Sequence, residues 1–170
     1  MFYTDNSGYC HATRMYNAVY NDYAELFPKG EDTEPGDIIA LDINSDKEQY
    51  IKATLDSKKI VGVHSNEYGH LIGGDEPPKG VDFEEYNFKK YIPVGLVGRC
   101  KVKIVGKVNK GDEIIPSDIP GVGKVWIKGI DNEDLLKNSI GFAVENSEEE
   151  NIKLIRVKLR GWIMASLDKI

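Results

Sequence analysis

A mainly β fold is predicted, a compact antiparallel β domain with an extended amino-terminal arm and one or two short helices, on three observations. Short apolar runs recur between Gly- and Asp-containing turns, as in Gly36-Asp37-Ile38-Ile39-Ala40-Leu41-Asp42 and Gly111-Asp112-Glu113-Ile114-Ile115. No amphipathic helical stretch separates the early runs, so their strands are joined by turns, the habit of antiparallel structure. Cys100-Lys101-Val102-Lys103-Ile104-Val105 alternates with period two, placing Lys101 and Lys103 outward and Val102 and Ile104 inward.

Taken in order, residues 1–21 are rich in Tyr, Asn and small residues and hold no core-forming run. Arg14 to Tyr20 alternates as a strand does, so this segment reads as an arm that pairs with another chain or ends a fibre-like body, or else as an unpinned terminus. Strands are expected near 37–42, 51–55, 60–64, 90–97, 99–108, 124–128, 140–145 and 152–159. Residues 65–82 carry Gly69, Gly73, Gly74, Pro77, Pro78 and Gly80 and read as a long loop. Asp131 is the expected N-cap of a short helix with Leu135 and Leu136 facing inward. The apolar tail Gly161 to Ala165 is expected to pack on the domain or on a neighbouring subunit. The second half also echoes the first: Gly111-Asp112 follows Gly36-Asp37, and 139–143 follows 59–63. Either a β unit is duplicated within one domain, or two hairpins are alike by chance.

Length suits one domain, 22–170, behind the arm 1–21: 170 residues can bury a core of useful size. A net charge of −6 argues against a nucleic-acid partner, which needs a basic field. No apolar run approaches the roughly 20 residues that span a bilayer, and no signal peptide opens the chain, so no membrane partner is expected. Two cysteines, Cys10 and Cys100, make neither a disulfide framework nor a zinc site, and folding in a reducing cytoplasm follows. No cofactor and no metal site is expected: Gly121-Val122-Gly123 and Gly73-Gly74 lack phosphate-binding spacing.

Chemistry concentrates at Asp22 and Glu25. On one helical turn, residues three apart are neighbours; on a strand they face opposite ways. Acting together they could supply the base and the acid that amide hydrolysis needs. Asp-x-x-Glu is equally a capping box, with Asp22 as N-cap and Glu25 three positions on. Pro28 limits any helix here to a single turn. Asn21 offers a second route, attack of its side-chain amide on its own carbonyl. His64 and His70 read as surface-loop histidines, Cys100 as a structural cysteine, and Glu148-Glu149-Glu150 as a solvated hairpin tip.

Asp22-Tyr23-Ala24-Glu25-Leu26-Phe27, followed by Pro35-Gly36-Asp37, resembles the autoproteolytic intramolecular-chaperone domain of phage tail spikes and neck appendages, classed with the glutamic peptidases. The resemblance runs from about Asp22 to about Leu159. It implies a carboxy-terminal chaperone domain that assembles as a homotrimer beneath the fibrous body of the same polypeptide or virion. It further implies self-cleavage before the motif Asp, at the bond Asn21–Asp22, with Asp22 and Glu25 catalytic. A small residue is expected before that Asp, and Asn21 stands there instead. Such a domain works in the bacterial cytoplasm during phage assembly and in the virion if retained. A structural trimerisation cap that keeps the fold without cutting is the alternative.

Overall fold

The computed structural model describes residues 2–12 and 22–161. The strand expected over 14–20, the residue Asn21 and the tail beyond Gly161 lie outside the described residues. Within the arm, β1 (Phe2–Thr4) and β2 (Cys10–Ala12) form an antiparallel hairpin and a sheet of their own. Its turn is built locally: the Asp5 carboxylate accepts from the N–H groups of Ser7 and Tyr9 at 2.9 and 3.0 Å. Such side-chain mimicry of a backbone turn is what Asp favours.

Ten strands make the main body: β3 (Tyr23–Pro28), β4 (Ile38–Leu41), β5 (Tyr50–Lys52), β6 (Ile60–His64), β7 (His70–Ile72), β8 (Tyr91–Ile104), β9 (Glu113–Pro116), β10 (Gly123–Val125), β11 (Gly141–Ala143) and β12 (Lys153–Leu159). The fourteen-residue β8 belongs to two closed rings. In the first ring β3, the first half of β8, β6, β4 and β5 follow one another, and a parallel bridge between Lys29 and Tyr50 closes it. In the second ring the order is the last half of β8, β12, β11, β9 and β10, closed by parallel pairing of Gly123 with Ile104. Closure leaves few free edges, the usual way small β proteins avoid edge-to-edge association.

The two barrels are copies of one unit, which answers the question the sequence left open. Gly36 N–H donates to the His64 carbonyl and His64 N–H to the Asp37 carbonyl; Gly111, Ala143 and Asp112 repeat both bonds. The carboxylates of Asp37 and Asp112 each cap the turn three residues upstream, accepting from the N–H of Glu34 and Asn109 at 2.8 and 2.7 Å. A Cβ on Gly62 would lie 2.1 Å from the Gly95 carbonyl oxygen, and one on Gly141 would lie 2.0 Å from that of Lys158. Gly95 and Lys158 therefore hold corresponding places, opposite corresponding glycines. Even the closing bonds match, with Gly30 N–H on the Tyr50 carbonyl and Val105 N–H on that of Gly123.

Alternation along the strands decides which side chains fill each barrel. Ile92 and Val94 of β8, with Ile39 and Tyr50, form the core of the first, against Phe27, Leu41, Val61 and Leu96. Phe27 meets Tyr50 edge-on, ring centres 4.6 Å apart. Val102, Ile104, Ile114, Ile155, Val157 and Leu159 fill the second, and Ile38, Ala40 and Val63 reach it from the first. Each fully buried Ile or Val contributes roughly 1.5–3 kcal/mol, and the core of the second barrel continues into the first through Ile38, Ala40 and Val63.

Four expectations need correction. Residues 22–28 form no helical turn: Asp22 leads directly into β3, because pairing with β8 through Pro28–Tyr91 satisfies this backbone better than one isolated turn. The paired strands expected at 90–97 and 99–108 are the single strand β8, bent at Gly95 to Gly98 rather than broken. The 65–82 loop contains β7, parallel to β3, and is tied down by the fully buried Asn87, whose amide bonds Asp75 N–H at 2.7 Å and the Asp75 and Phe83 carbonyls at 3.0 Å. Asn87 ends a short α-helix, α1 (Phe83–Asn87), which the sequence reading passed over. The helix after Asp131 is a 3-10 segment, Glu133–Asn138, capped by Asn132; the Asp131 carboxylate is taken by Lys124 at 2.5 Å.

Candidate active site at the seam of the barrels

Asp22 is 3% exposed and sits where the two barrels meet. Ala24 and Leu26 share its buried face of β3. Ser65, the residue after β6, is pinned by its N–H to the Pro93 carbonyl at 2.9 Å, and its hydroxyl donates to Asp22 Oδ1 at 2.7 Å. The Asp22 carbonyl accepts from Gly69 N–H at 3.0 Å. The second carboxyl oxygen, Oδ2, meets no N–H or O–H donor among the described residues; only the weakly donating Cys100 thiol stands beside it. It lies against β8, where a Cβ on Gly95 would come within 2.3 Å of it and 2.6 Å of Cys100 Sγ. Glycine at 95 is what lets a carboxyl and a thiol share this space.

Burial raises the Asp22 carboxyl above its ordinary range; hydrogen bonds from Ser65, from its own backbone and from the Cys100 thiol pull the other way, and the charge of Glu67 adds to the rise. Burial likewise pushes the Cys100 thiol far up, with the Asp22 carboxyl adding to it. Cys100 thus stays a thiol, in keeping with a structural role. A small cavity of about 100 Å³ beside Asp22 is lined by Ser65, His64, Glu67, Cys100 and Lys101 among others.

Glu25 is not there. On β3 it faces the other way, opposite Val94 and next to Phe27, into a cleft of about 470 Å³ at the mouth of the first barrel. Lys58, Lys59, Lys137 and Arg160 line the same cleft. The strand separates the two carboxyls as its period of two requires, and rules out the capping box. Within one chain Asp22 and Glu25 do not converge on one bond.

His64 is no loop residue. It ends β6, half-buried, with Nδ1 hydrogen-bonded to Thr33 Oγ1 at 2.9 Å, and burial lowers it to about 4. His70 lies exposed on β7 and stacks on Tyr23, ring centres 5.1 Å apart. The depressed His64 predicts a pH effect. Between about pH 6.5 and 4 the unfolded chain binds a proton that the folded chain refuses. Stability is therefore full above pH 6.5 and falls on acidification, by roughly 2 kcal/mol through this group once solvent screening is allowed for. Urea midpoints of wild type and His64→Gln at pH 7.5 and 4.5 check this: the acid loss should shrink in the variant.

Sequence reasoning missed Ser65 and Gly95 as partners of Asp22. The internal repeat carried a signal for them. By correspondence of strands, the second unit holds Val144 where the first has Ser65, and Lys158 where it has Gly95. Counted along the repeat, Val97 stands for Asp22. Val97 is exposed where Asp22 is buried, so the polar cluster belongs to the first unit alone. Among the described residues no group of three metal-binding side chains occurs, and no helix is long and apolar enough to cross a membrane.

The fold defines a class, a tandem of two five-stranded barrels sharing one long strand. Solved structures with this fold include the pre-mature bacteriophage phi29 gene product 12, at TM-score 0.62 and 18% identity over 90% of this chain, and the gene product 12 C-terminal fragment, at TM-score 0.56 and 18% identity over 82%. The chain spans 23% of the former and 100% of the latter. No protein-family model and no curated protein matches the sequence.

Proposed function

We propose that this chain is the carboxy-terminal chaperone and trimerisation domain of a phage-type tail spike or appendage, and that it cleaves its own Asn21–Asp22 bond. One observation carries the cleavage: a buried carboxyl whose second oxygen has only the Cys100 thiol beside it stands on the residue that supplies the bond's nitrogen. An unpaired buried polar atom costs about 1–3 kcal/mol, and at the place corresponding to Asp22 the second barrel holds Val97, 42% exposed, instead of a buried carboxyl. Likeness in fold to a carboxy-terminal fragment, and to the pre-mature form of the same phage protein, supports the placement.

Hydrolysis adds a water oxygen to the Asn21 carbonyl carbon, breaks that carbon's bond to the Asp22 nitrogen and leaves a proton on the nitrogen. Asp22, whose carboxyl burial raises above its ordinary range, gives that proton; Glu25 takes the proton from water. Since β3 turns Glu25 away within its own chain, the Glu25 carboxylate has to come from an adjacent subunit, and cutting depends on assembly. The same separation favours the second reading, a cap that trimerises without cutting. Chain production takes place in the bacterial cytoplasm during phage assembly.

Light scattering should give three times the chain mass of 19.0 kDa. A fragment beginning at Asp22 should form in wild type, fail to form in Glu25→Gln, and persist in Asn21→Ala, which blocks only the side-chain amide route. A monomer at micromolar concentration contradicts assembly. Trimers that never release the fragment establish the second reading.

A further inference from the structure

The second unit has the half-buried Val144 in place of Ser65, a buried side chain whose hydroxyl accepts from Glu67 N–H at 3.3 Å. Its hydroxyl donates to Asp22 Oδ1 at 2.7 Å, while Oδ2 rests in the space that Gly95 leaves. In the second unit Val144 and Lys158 occupy the corresponding places and could neither hold nor admit a carboxyl there. The pairing also differs locally: between Tyr23 and Ala24 the register slips, so that Leu96, next to Gly95, is left unpaired. The second unit runs through the matching stretch, Gly98 to Cys100 against Leu159 to Val157, without a slip. Bulges of this kind re-aim side chains beside active sites.

We infer that Ser65 is a positioning residue of the self-cleavage reaction, fixing Asp22 through Oδ1 so that Oδ2, in the pocket opened by Gly95, is the oxygen that exchanges the proton. The inference rests on the reading that Asn21–Asp22 is cut. Groups facing Asp22 from the surrounding elements are the Cys100 thiol on β8, Glu67 and Tyr68 after β6, Lys101, paired with Glu67 at 2.6 Å, and His64 lining the same cavity. The Ser65 hydrogen bond favours the ionised carboxyl, so its loss should move the Asp22 titration upward.

The test pairs two measurements on the full-length assembled protein. Carboxyl-carbon NMR follows Asp22 in an uncleaved Glu25→Gln background with and without the Ser65 change, so that the lost Glu25 charge is common to both; fragment release is followed against pH with Glu25 intact. Ser65→Ala should raise the Asp22 midpoint by about 1–2 pH units, the equivalent of one hydrogen bond to a charged group. It should also slow cleavage at least about tenfold, displacing the pH profile in the same direction. Ser65→Thr, which restores a hydroxyl, should recover both. An unmoved midpoint, or a slower rate with an unmoved profile, overturns the positioning role alone. A wild type that cuts at no pH overturns the cleavage reading, and with it the part assigned to Ser65 in that reaction.

Discussion

Gly141→Ala and Gly62→Ala should each cost about 3 kcal/mol, the largest stability losses expected from any single methyl group in this protein. The added carbon would stand 2.0 Å from the Lys158 carbonyl oxygen in one barrel and 2.1 Å from the Gly95 carbonyl oxygen in the other. Both obstacles are main-chain atoms in central strands and cannot swing aside as a side-chain tip can. Overpacking of this kind typically costs about 1–3 kcal/mol, and Gly141 adds a φ of 146° that other residues rarely adopt. Against a total stability of roughly 5–15 kcal/mol, either variant should lose a large share of its urea midpoint. Gly106→Ala is the control, since a Cβ there meets nothing within 4 Å and only its φ of 85° matters. It should cost about 1 kcal/mol. Equal losses in all three would mean that the two close approaches do not organise the barrels.

The largest functional effect is expected from Asp22→Val combined with Ser65→Ala. Fragment release should fall below detection, because the acid and its hydrogen-bond donor are both gone. Stability above pH 7 should stay the same or rise. Removing both partners of a buried polar contact in favour of apolar groups of similar shape is often neutral, and the second oxygen of this carboxyl has only the Cys100 thiol beside it. The second barrel carries valines at the corresponding places, Val144 half-buried and Val97 exposed. A structural role for Asp22 predicts the opposite, a loss of several kcal/mol with both changes present. Chemical denaturation at pH 8 and electrophoresis of aged samples separate the two cases.

Much of the fold was legible because alternation is a local property. Ile60–His64 and Lys153–Leu159 stand within a residue of where Ile, Val and Leu spacing places them. The Gly-Asp turns at 36–37 and 111–112 announced the duplication, since each needs a glycine with positive φ and an Asp that caps its own turn. What failed was local propensity overruled from a distance. Asp22 to Phe27 can be written as a capped turn or as a strand, and only its partner, β8, decides between them. The burial of Asp22 depends on Ser65 and Gly95, which lie 43 and 73 positions away along the chain, and no pattern around residue 22 reveals them. The resemblance pointed to Asp22, which the structure buries, but not to its surroundings. Its assignment of Glu25 to the same bond meets the period of a strand, which places the two carboxyls on opposite faces.

Intact mass spectrometry of the assembled wild-type protein, sampled over time from pH 5 to pH 8, is the most direct test of self-cleavage. The full-length species should give way to two pieces divided between Asn21 and Asp22, in the trimer and not in dilute monomer. A trimer whose chains remain full length across that whole range would contradict it.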